Sequence, residues 1–177
     1  MSVSIIDNNN IPNYRRLLKE LASQKVEVGI FGDDSEMYPD GNASVLLIAT
    51  INEFGMNITV TPKMRAYLHS QGLHLKASTT EIKIPERSFI RSGFDERQAK
   101  IADTAIKLLR QVLLLQLPVQ TFFETIGDYI VGQLKEYVTQ VSSPPNHPFT
   151  VAAKGSSQPL IDTGRMRDAI THRVVKG

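Results

Sequence analysis

The sequence contains no cysteine, and this absence excludes several kinds of chemistry. Disulfide frameworks, thiolate metal sites and catalytic thiols all require that side chain. The lack of cysteine fits a reducing compartment, so we expect an intracellular protein. The first residues, MSVSIIDNNN, also lack the basic and apolar regions of a secretory signal, which agrees with that expectation.

Charge of one sign and long hydrophobic runs are missing as well. The formal net charge is +2, far from the strongly basic balance of a dedicated nucleic-acid binder. The most apolar runs, SVLLIATI and VLLLQL, are too short to cross a bilayer, so we predict no membrane partner. The hydrophobic fraction of 41% is sufficient for a packed core, and we predict a single domain over residues 1–177.

Motifs for catalysis are also absent. Neither a Walker A pattern nor a GxGxxG pattern occurs, and GSSQ lacks the G-x-S-x-G elbow of many hydrolases. Ser156, Asp162 and His147 are the residue types of a triad, but His147 lies in a proline-rich linker, a poor place for a positioned base. We therefore predict that the protein is not an enzyme and has no catalytic residues and no cofactor.

Three groups of polar residues have a chemical and a structural interpretation. The acidic loop DDSEMYPDGN could hold calcium, but it does not match the EF-hand spacing, and a solvated turn is preferred. His69 and His74 flank a glycine and do not share a helical face, which favours exposed loop histidines over a metal site. Glu53 could act as an acid or base, but pairing with Arg87 or Arg91 is the preferred interpretation.

Hydrophobic periodicity predicts an α+β fold. We expect a small, mainly antiparallel sheet packed by an N-terminal helix and a long antiparallel helix pair, with an extended hairpin arm. A buried helix runs from an N-cap at Asn42 to Gly55, and Pro118 is the first residue of the second long helix. The arm covers residues 57–86, with strands at 58–61 and 80–84 and a helical turn between them.

The C-terminal segment, residues 142–177, is predicted to form a linker, a turn and a strand. Three prolines in SSPPNHPF favour extended backbone. Leu160 and Ile161 serve as apolar anchors, and Asp162 or Thr163 caps a helical turn over residues 165–169. The alternation in ITHRVV then predicts a final strand.

Five features occur in a fixed order: KVEVGIFG, IATINEFGMNITVTP, EIKIPERSFIR with FDE, a long helical pair, and PPN followed by KGSSQPLIDTGRMRDAI. Together they resemble the neck and tail-completion (head–tail joining) proteins of long-tailed bacteriophages, over residues 25–175. The resemblance implies a non-catalytic α+β virion protein that assembles in the host cytoplasm. Its copies would form a ring, commonly a hexamer, that joins the head-closure or connector ring to the tail and lets DNA pass.

Two alternatives accompany this interpretation. A tail terminator that caps the tail tube would have a similar sequence at this level. A DNA-binding morphogenesis factor is the alternative from another class, and salt-dependent DNA affinity would identify it. The partners implied are the protein itself, the connector ring, the tail terminator or the tail tube and sheath proteins, with non-specific contact to phage DNA.

A closed ring of identical subunits needs two different contact patches on each copy. The arm and residues 154–175 are the candidates. The predicted interface residues are Met64, Arg65, Tyr67, Leu68, Leu73, Arg87, Phe89, Leu160 and Ile161. The predicted contacts with a DNA channel or a partner are Lys154, Arg165, Arg167 and Arg173.

Overall fold

The structure, a computed structural model, describes residues 10–32, 37–38 and 43–177. Over these residues it has the α+β class that the periodicity predicted, with a long helix pair and short antiparallel strands. In chain order the elements are α1 (Ile11–Ala22), β1 (Gln24–Gly29), α2 (Val45–Phe54), β2 (Met56–Thr59), α3 (Pro62–Ser70), β3 (Glu81–Ile84), α4 (Arg91–Leu113), α5 (Val119–Gln140), α6 (Pro148–Lys154), α7 (Arg165–Asp168) and β4 (Thr171–Lys176).

The predicted first and last strands pair with each other. β1 and β4 run antiparallel, from Gln24 opposite Lys176 to Gly29 opposite Thr171, and both strands pack on α5. Val26 and Val174 lie directly opposite each other and pack against the apolar core. The alternation of apolar residues therefore predicted both strands and the face that each one buries.

The long helices form the antiparallel pair that the short turn between them predicts. Arg97, near the start of α4, donates to Gln140 at the end of α5, and Tyr137 donates to Glu96 in the same region. The apolar stripe of α5 lies in the core, as predicted, with Val119, Phe123, Ile126, Leu134 and Val138 buried. Pro118 has extended backbone and is the N-cap of α5, whereas the sequence predicted it as the first residue of the helix.

Two apolar clusters make up the core around this helix pair. The larger contains Val45, Ala49, Phe89, Leu134, Val138, Leu160, Met166 and Ile170, and the smaller contains Leu17, Val112, Val119 and Phe123. Apolar residues at steps of three and four along α4 predict a buried stripe of Phe94, Ile101, Ala105, Leu108, Leu109 and Val112, but Phe94 is largely exposed.

The arm has the predicted hairpin strands and a longer helix than predicted. β2 pairs antiparallel with β3, from Met56 opposite Ile84 to Thr59 opposite Glu81. Between them α3 is a complete helix, and Thr61 caps it by accepting a hydrogen bond from Met64 N. The described strands thus form two separate sheets of two strands each, where the sequence predicted one small sheet with an arm.

Several predicted helix boundaries are wrong. α7 has Gly164 as its N-cap, at φ 84°, with no capping side chain, so neither Asp162 nor Thr163 caps this turn. The linker SSPPNHPF leads directly into α6, a helix that the sequence reading missed. The N-cap of α2 is Ser44, whose hydroxyl accepts from Leu47 N.

Asn42, the predicted cap of α2, and most of the acidic loop lie outside the described residues. Across the stretches that are described, no helix has an apolar segment long enough to cross a membrane.

Candidate functional site

Several of the motifs that carry the resemblance, N-E-F-G, I-P-E-R-S-F-I-R and P-P-N, meet in one partly buried cluster, which we call the junction. It consists of Asn52, Glu53, Arg87, Arg91 and Asn146 with their hydrogen-bond partners. The C-terminal end of α2, the start of α4 and the prolines after α5 meet there. Two further features lie beside it: an open cleft, and the arm.

Glu53 is a buried carboxylate whose two oxygens both accept hydrogen bonds. Its side chain is about 8% exposed and accepts hydrogen bonds from Ile90 N, Arg91 N and the Ser88 hydroxyl at 2.9–3.1 Å. It also pairs with Arg91 Nε at 3.0 Å. Since Ile90, the N-cap of α4, has no capping side chain, Glu53 caps that helix from another element.

These contacts confirm the prediction that Glu53 bonds to backbone and to an arginine, with Arg91 as the partner. The hydrogen bonds to Glu53 and then to Glu86 raise the pKa of Arg91. Four donors hold this carboxylate in place, three on Oε1 and one on Oε2, so Glu53 acts as a structural anchor between α2 and the start of α4.

Arg87 is a buried cation, and its acceptors among the described residues are all neutral. Its Nε donates to Pro144 O at 2.7 Å, and its Nη2 donates to Pro145 O and Asn146 Oδ1 at 3.0 and 3.2 Å. A longer contact of 3.4 Å reaches Asn52 Oδ1, and burial lowers the pKa of Arg87. Arg87 therefore fastens the chain after α5 to the start of α4.

Gly55 is required where α2 meets the end of β3. Its φ is 72°, and a Cβ there would lie 2.9 Å from Glu86 N and 3.0 Å from Ile84 O. A side chain would clash with backbone that cannot move independently. The N-E-F-G stretch thus combines an anchor, Glu53, with the close approach that a glycine permits.

The closing segment PLIDTG is tied to the same cluster. Asn146 Nδ2 contacts Pro159 O at 3.4 Å, while Leu160 and Met166 pack in the larger core cluster. Phe89 is 1% exposed in the same cluster. The prediction that Arg87, Phe89 and Leu160 lie at a subunit interface is therefore wrong, because their own chain covers all three. Ile161 is half-buried against that core.

An open cleft of about 760 Å³ lies next to the junction, between α2, β3, α6 and residues 159–166. Four isoleucines, Ile48, Ile51, Ile82 and Ile84, contribute an aliphatic lining. The charged lining residues are Lys83, Arg87, Lys154, Asp162 and Arg165. The cleft therefore combines aliphatic side chains with an excess of positive charge.

Lys154 is held on the polar side of the cleft. Its Nζ donates to Gln158 O at 3.0 Å and to Pro159 O at 3.2 Å. Burial lowers the pKa of Lys154, attraction to Asp162 raises it, and a smaller repulsion from Arg87 lowers it again. The charge of Lys154 is therefore influenced by both Asp162 and Arg87.

The arm is held together by its own contacts. Arg65 donates to Lys76 O at 2.9 Å, to Leu75 O at 3.2 Å and to Thr79 O at 2.6 Å. Its guanidinium closes the arm, and its contact with a neighbouring subunit stays a prediction. α3 has no buried residue, and Tyr67 is 61% exposed.

The other arm residues predicted at the interface, and the two histidines, are not buried either. Met64, Leu68 and Leu73 are half-buried. His69 and His74 are exposed, as predicted, and their rings meet edge-on with centroids 4.4 Å apart.

The four residues predicted to contact a DNA channel or a partner all have contacts within their own chain. Lys154 and Arg165 line the cleft, whereas Arg167 pairs with Asp168 at 2.8 Å. Arg173 pairs with Glu27 at 3.0 Å and stacks over the Phe31 ring at 4.2 Å. Contact of these four residues with DNA or with a partner stays a prediction.

The apolar character of α2 around its circumference predicts a helix that is buried against its own fold or against a neighbouring subunit. In the structure Leu47, Phe54 and Met56 are each about half exposed or more and follow the outer side of α2 to the base of the arm. The sequence did not indicate which of its apolar residues stay exposed.

An ionic cluster between α5 and β4 was also missed. His172 Nε2 lies 2.9 Å from Glu124 Oε2, and its Nδ1 lies 3.4 Å from Asp128 Oδ1. The hydrogen bond with His172 lowers the pKa of Glu124. Glu124 and Asp128 are one turn apart on α5, a spacing that the sequence shows but cannot connect to a residue on β4.

The fold and these features define an α+β protein with a closed junction, an open cleft and a self-contained arm. In the part of the chain that the structure describes, no three histidine or carboxylate side chains are grouped to hold a metal ion. Comparison with protein-family models, curated proteins and solved structures found no match.

Proposed function

We propose that the protein is a structural subunit of a bacteriophage neck, where its copies form a ring that joins the head connector to the tail and lets DNA pass. The sequence resemblance suggests the setting, and one structural observation supports the role. The arm is folded by its own hydrogen bonds, and its helix α3 buries no residue against the body. A helix that buries no side chain against the described part of its own chain is suited to contact a neighbour.

The arm offers one of the two patches that a closed ring needs. Tyr67 is its most exposed large side chain, and exposed aromatic residues often provide the central contacts of interfaces. The second patch in this proposal is the exposed side of α2 with Leu47, Phe54 and Met56, since neighbouring apolar residues on a surface mark interaction sites. The arm of one copy would pack on α2 of the next.

The junction fits a structural role for the motifs. Glu53 and Arg87 direct their hydrogen bonds to backbone and to side chains that hold α2, α4 and the C-terminal segment together. Groups used in this way give a rigid body on which an arm can be carried. The proposal therefore assigns no reaction to these residues.

The test is a chain in which residues 61–79 are replaced by Asn-Gly. Val60 N already donates to Thr80 O at 2.8 Å, so a two-residue turn can close this hairpin. We expect the variant to fold with an unchanged melting temperature but to form no rings by sedimentation velocity and electron microscopy. The control is Ile106→Ser, which removes an equally exposed apolar side chain outside both patches.

Rings of full size from the variant without its arm would contradict the proposal. Electron microscopy of particles also separates the alternatives, since a cap on the tail tube would identify a tail terminator. For the DNA-binding alternative, affinity would fall steeply with salt, whereas a neck subunit should show a shallow dependence.

A further inference from the structure

We propose that the cleft beside the junction binds an extended acidic peptide segment of a partner protein, which adds as a strand to the outer edge of β3. The inference goes beyond the proposed ring and does not depend on it. Three observations support it: the charge of the lining, its aliphatic side chains and the outer edge of β3, with which no described strand pairs.

The described lining of the cleft carries more cations than carboxylates. Lys83, Arg87 and Lys154 contribute positive charge, and Asp162 is the single carboxylate among the described lining residues, while Arg165 also lines the cleft but already has an interaction of its own. Arg87 is 6% exposed, and its side chain contacts only neutral oxygens within the described part of the chain. Buried charges are normally balanced by an opposite charge, so a carboxylate entering the cleft would stabilise both Arg87 and Lys154.

The aliphatic lining determines which anion fits best. Ile48, Ile51, Ile82 and Ile84 border the same cavity as the cations. A nucleic-acid backbone would satisfy the charges but would leave these isoleucines against phosphate and water. A peptide that alternates acidic and aliphatic side chains satisfies both parts of the lining.

The edge of β3 supplies the backbone partner. In an antiparallel pair, residues that exchange hydrogen bonds alternate with residues that do not. Val60 N donates to Thr80 O, so these two residues form a hydrogen-bonded pair. Ile58 and Ile82, two positions further along the register, form the next such pair. The backbone N–H and C=O of Ile82 therefore point toward β2. The N–H and C=O of Lys83 then point away from β2, and Lys83 lines the cleft. An extended segment can pair with these groups as an added strand.

The first experiment measures binding to the full chain by isothermal titration calorimetry. The probe is the acetylated and amidated peptide EIEVEL, and the matched probe is QIQVQL, which has the same shape without charge. We expect the acidic peptide to bind about 10-fold more tightly than the amide peptide, with an affinity that falls as salt rises. Equal affinities, or no binding of the acidic peptide at about 1 mM, would overturn the proposal.

Variants locate the site. Lys154→Met should weaken binding of the acidic peptide about 10-fold, while Lys107→Met, an exposed lysine on α4 outside the cleft, should leave it unchanged. Lys154→Met also removes the hydrogen bonds from Lys154 to two carbonyls, so this variant changes local structure as well as charge. A second measurement therefore uses the wild-type chain. Binding should slow hydrogen exchange at the Lys83 amide, and an unchanged exchange rate there would overturn strand addition.

Two competing ligands test whether the cleft binds nucleic acid or a second copy of this chain instead. A short DNA duplex should not displace the acidic peptide, and displacement would show that the cleft recognises phosphate instead. A peptide copying residues 33–42, DDSEMYPDGN, represents a second copy of this chain. Tighter binding of that peptide than of EIEVEL would show that the cleft serves self-association, and would overturn the proposal of a separate partner.

Discussion

Arg87 in the junction and Arg65 in the arm make the same kind of contact, but they connect very different parts of the chain. Each guanidinium donates to a set of backbone carbonyls. Arg87 reaches carbonyls 57 and 58 positions away in sequence, whereas Arg65 reaches carbonyls 10 to 14 positions away. The first closes a long loop and ties separate elements into one body, while the second closes a local unit.

This difference separates two kinds of order in one molecule. Long-range contacts at a buried site make the junction part of the cooperative core. Local contacts around an exposed helix keep the arm ordered without support from the body, so it can change partner or be lost without unfolding the rest. The comparison can be tested by changes expected to act on one region and spare the other.

The largest effect is expected from Glu53→Ala. The change leaves Ile90 N, Arg91 N and the Ser88 hydroxyl without their acceptor, and we expect a loss of about 3 kcal/mol in the free energy of unfolding. Urea denaturation measures it. The control is Glu86→Ala, which removes the exposed partner of the same Arg91 and should change stability by less than about 1 kcal/mol. Similar losses in the two variants would show that Glu53 is not an anchor.

A matched pair of glycines gives the next largest difference. Gly55 and Gly72 both have positive φ, but a Cβ at Gly55 meets backbone at 2.9 Å, whereas a Cβ at Gly72 has nothing within 4 Å. Gly55→Ala should therefore cost about 3 kcal/mol and Gly72→Ala about 1 kcal/mol, since the second change adds only backbone strain. Thermal unfolding of both variants measures the difference. Equal costs would mean that the junction is no more tightly packed than the arm.

The dependence of stability on acid pH provides a third test, at the contact between α5 and β4. The hydrogen bond with His172 holds the pKa of Glu124 below its ordinary value of 4.5. As pH falls, Glu124 is protonated at a higher pH in the unfolded chain than in the folded chain. The stabilisation is therefore present above about pH 4.5 and is lost as pH falls through the pKa of Glu124 in the folded chain. Glu124→Gln should remove this dependence, so wild type and variant should converge in stability on acidification. Parallel stability profiles would contradict the assignment.

The smallest global effect is expected in the arm. Arg65→Met removes the donors to three arm carbonyls, so proteolytic cleavage within residues 61–80 should become faster. The free energy of unfolding should change by less than about 0.5 kcal/mol, because α3 contributes no buried residue to the body. Arg110→Met, an exposed change at the end of α4, is the control for loss of a surface charge. A large loss of global stability would show that the arm is part of the core.

Local patterns predicted much of this organisation. The stripe of α5 and the alternation in β1 and β4 follow the periods of a helix and of a strand, and burial of one face accounts for both. The sequence predicts Arg87 or Arg91 as the partner of Glu53, because a carboxylate in an apolar helix needs a cation or hydrogen-bond donors. In the structure one of them, Arg91, forms the ion pair.

Other features depend on information that local patterns do not carry. The start of α6 is marked by Pro148 at its first turn and its end by Gly155 in the left-handed region, but the prolines before it favoured an extended linker. Asp162 and Thr163 had suitable side chains for a cap, yet Gly164 occupies the N-cap position. Arg87, Phe89 and Leu160 lie in irregular segments, where no periodicity distinguishes a core side chain from a surface one.

Hydrogen exchange of the dilute wild-type chain tests the contrast between the junction and the arm most directly. We predict that amides of α3 exchange at least about 100-fold faster than the Ile90 and Arg91 amides bound to Glu53, and that α3 slows when the protein assembles. Equal protection of α3 and of the junction in the dilute chain would contradict the account, since the arm would then belong to the same cooperative unit as the body.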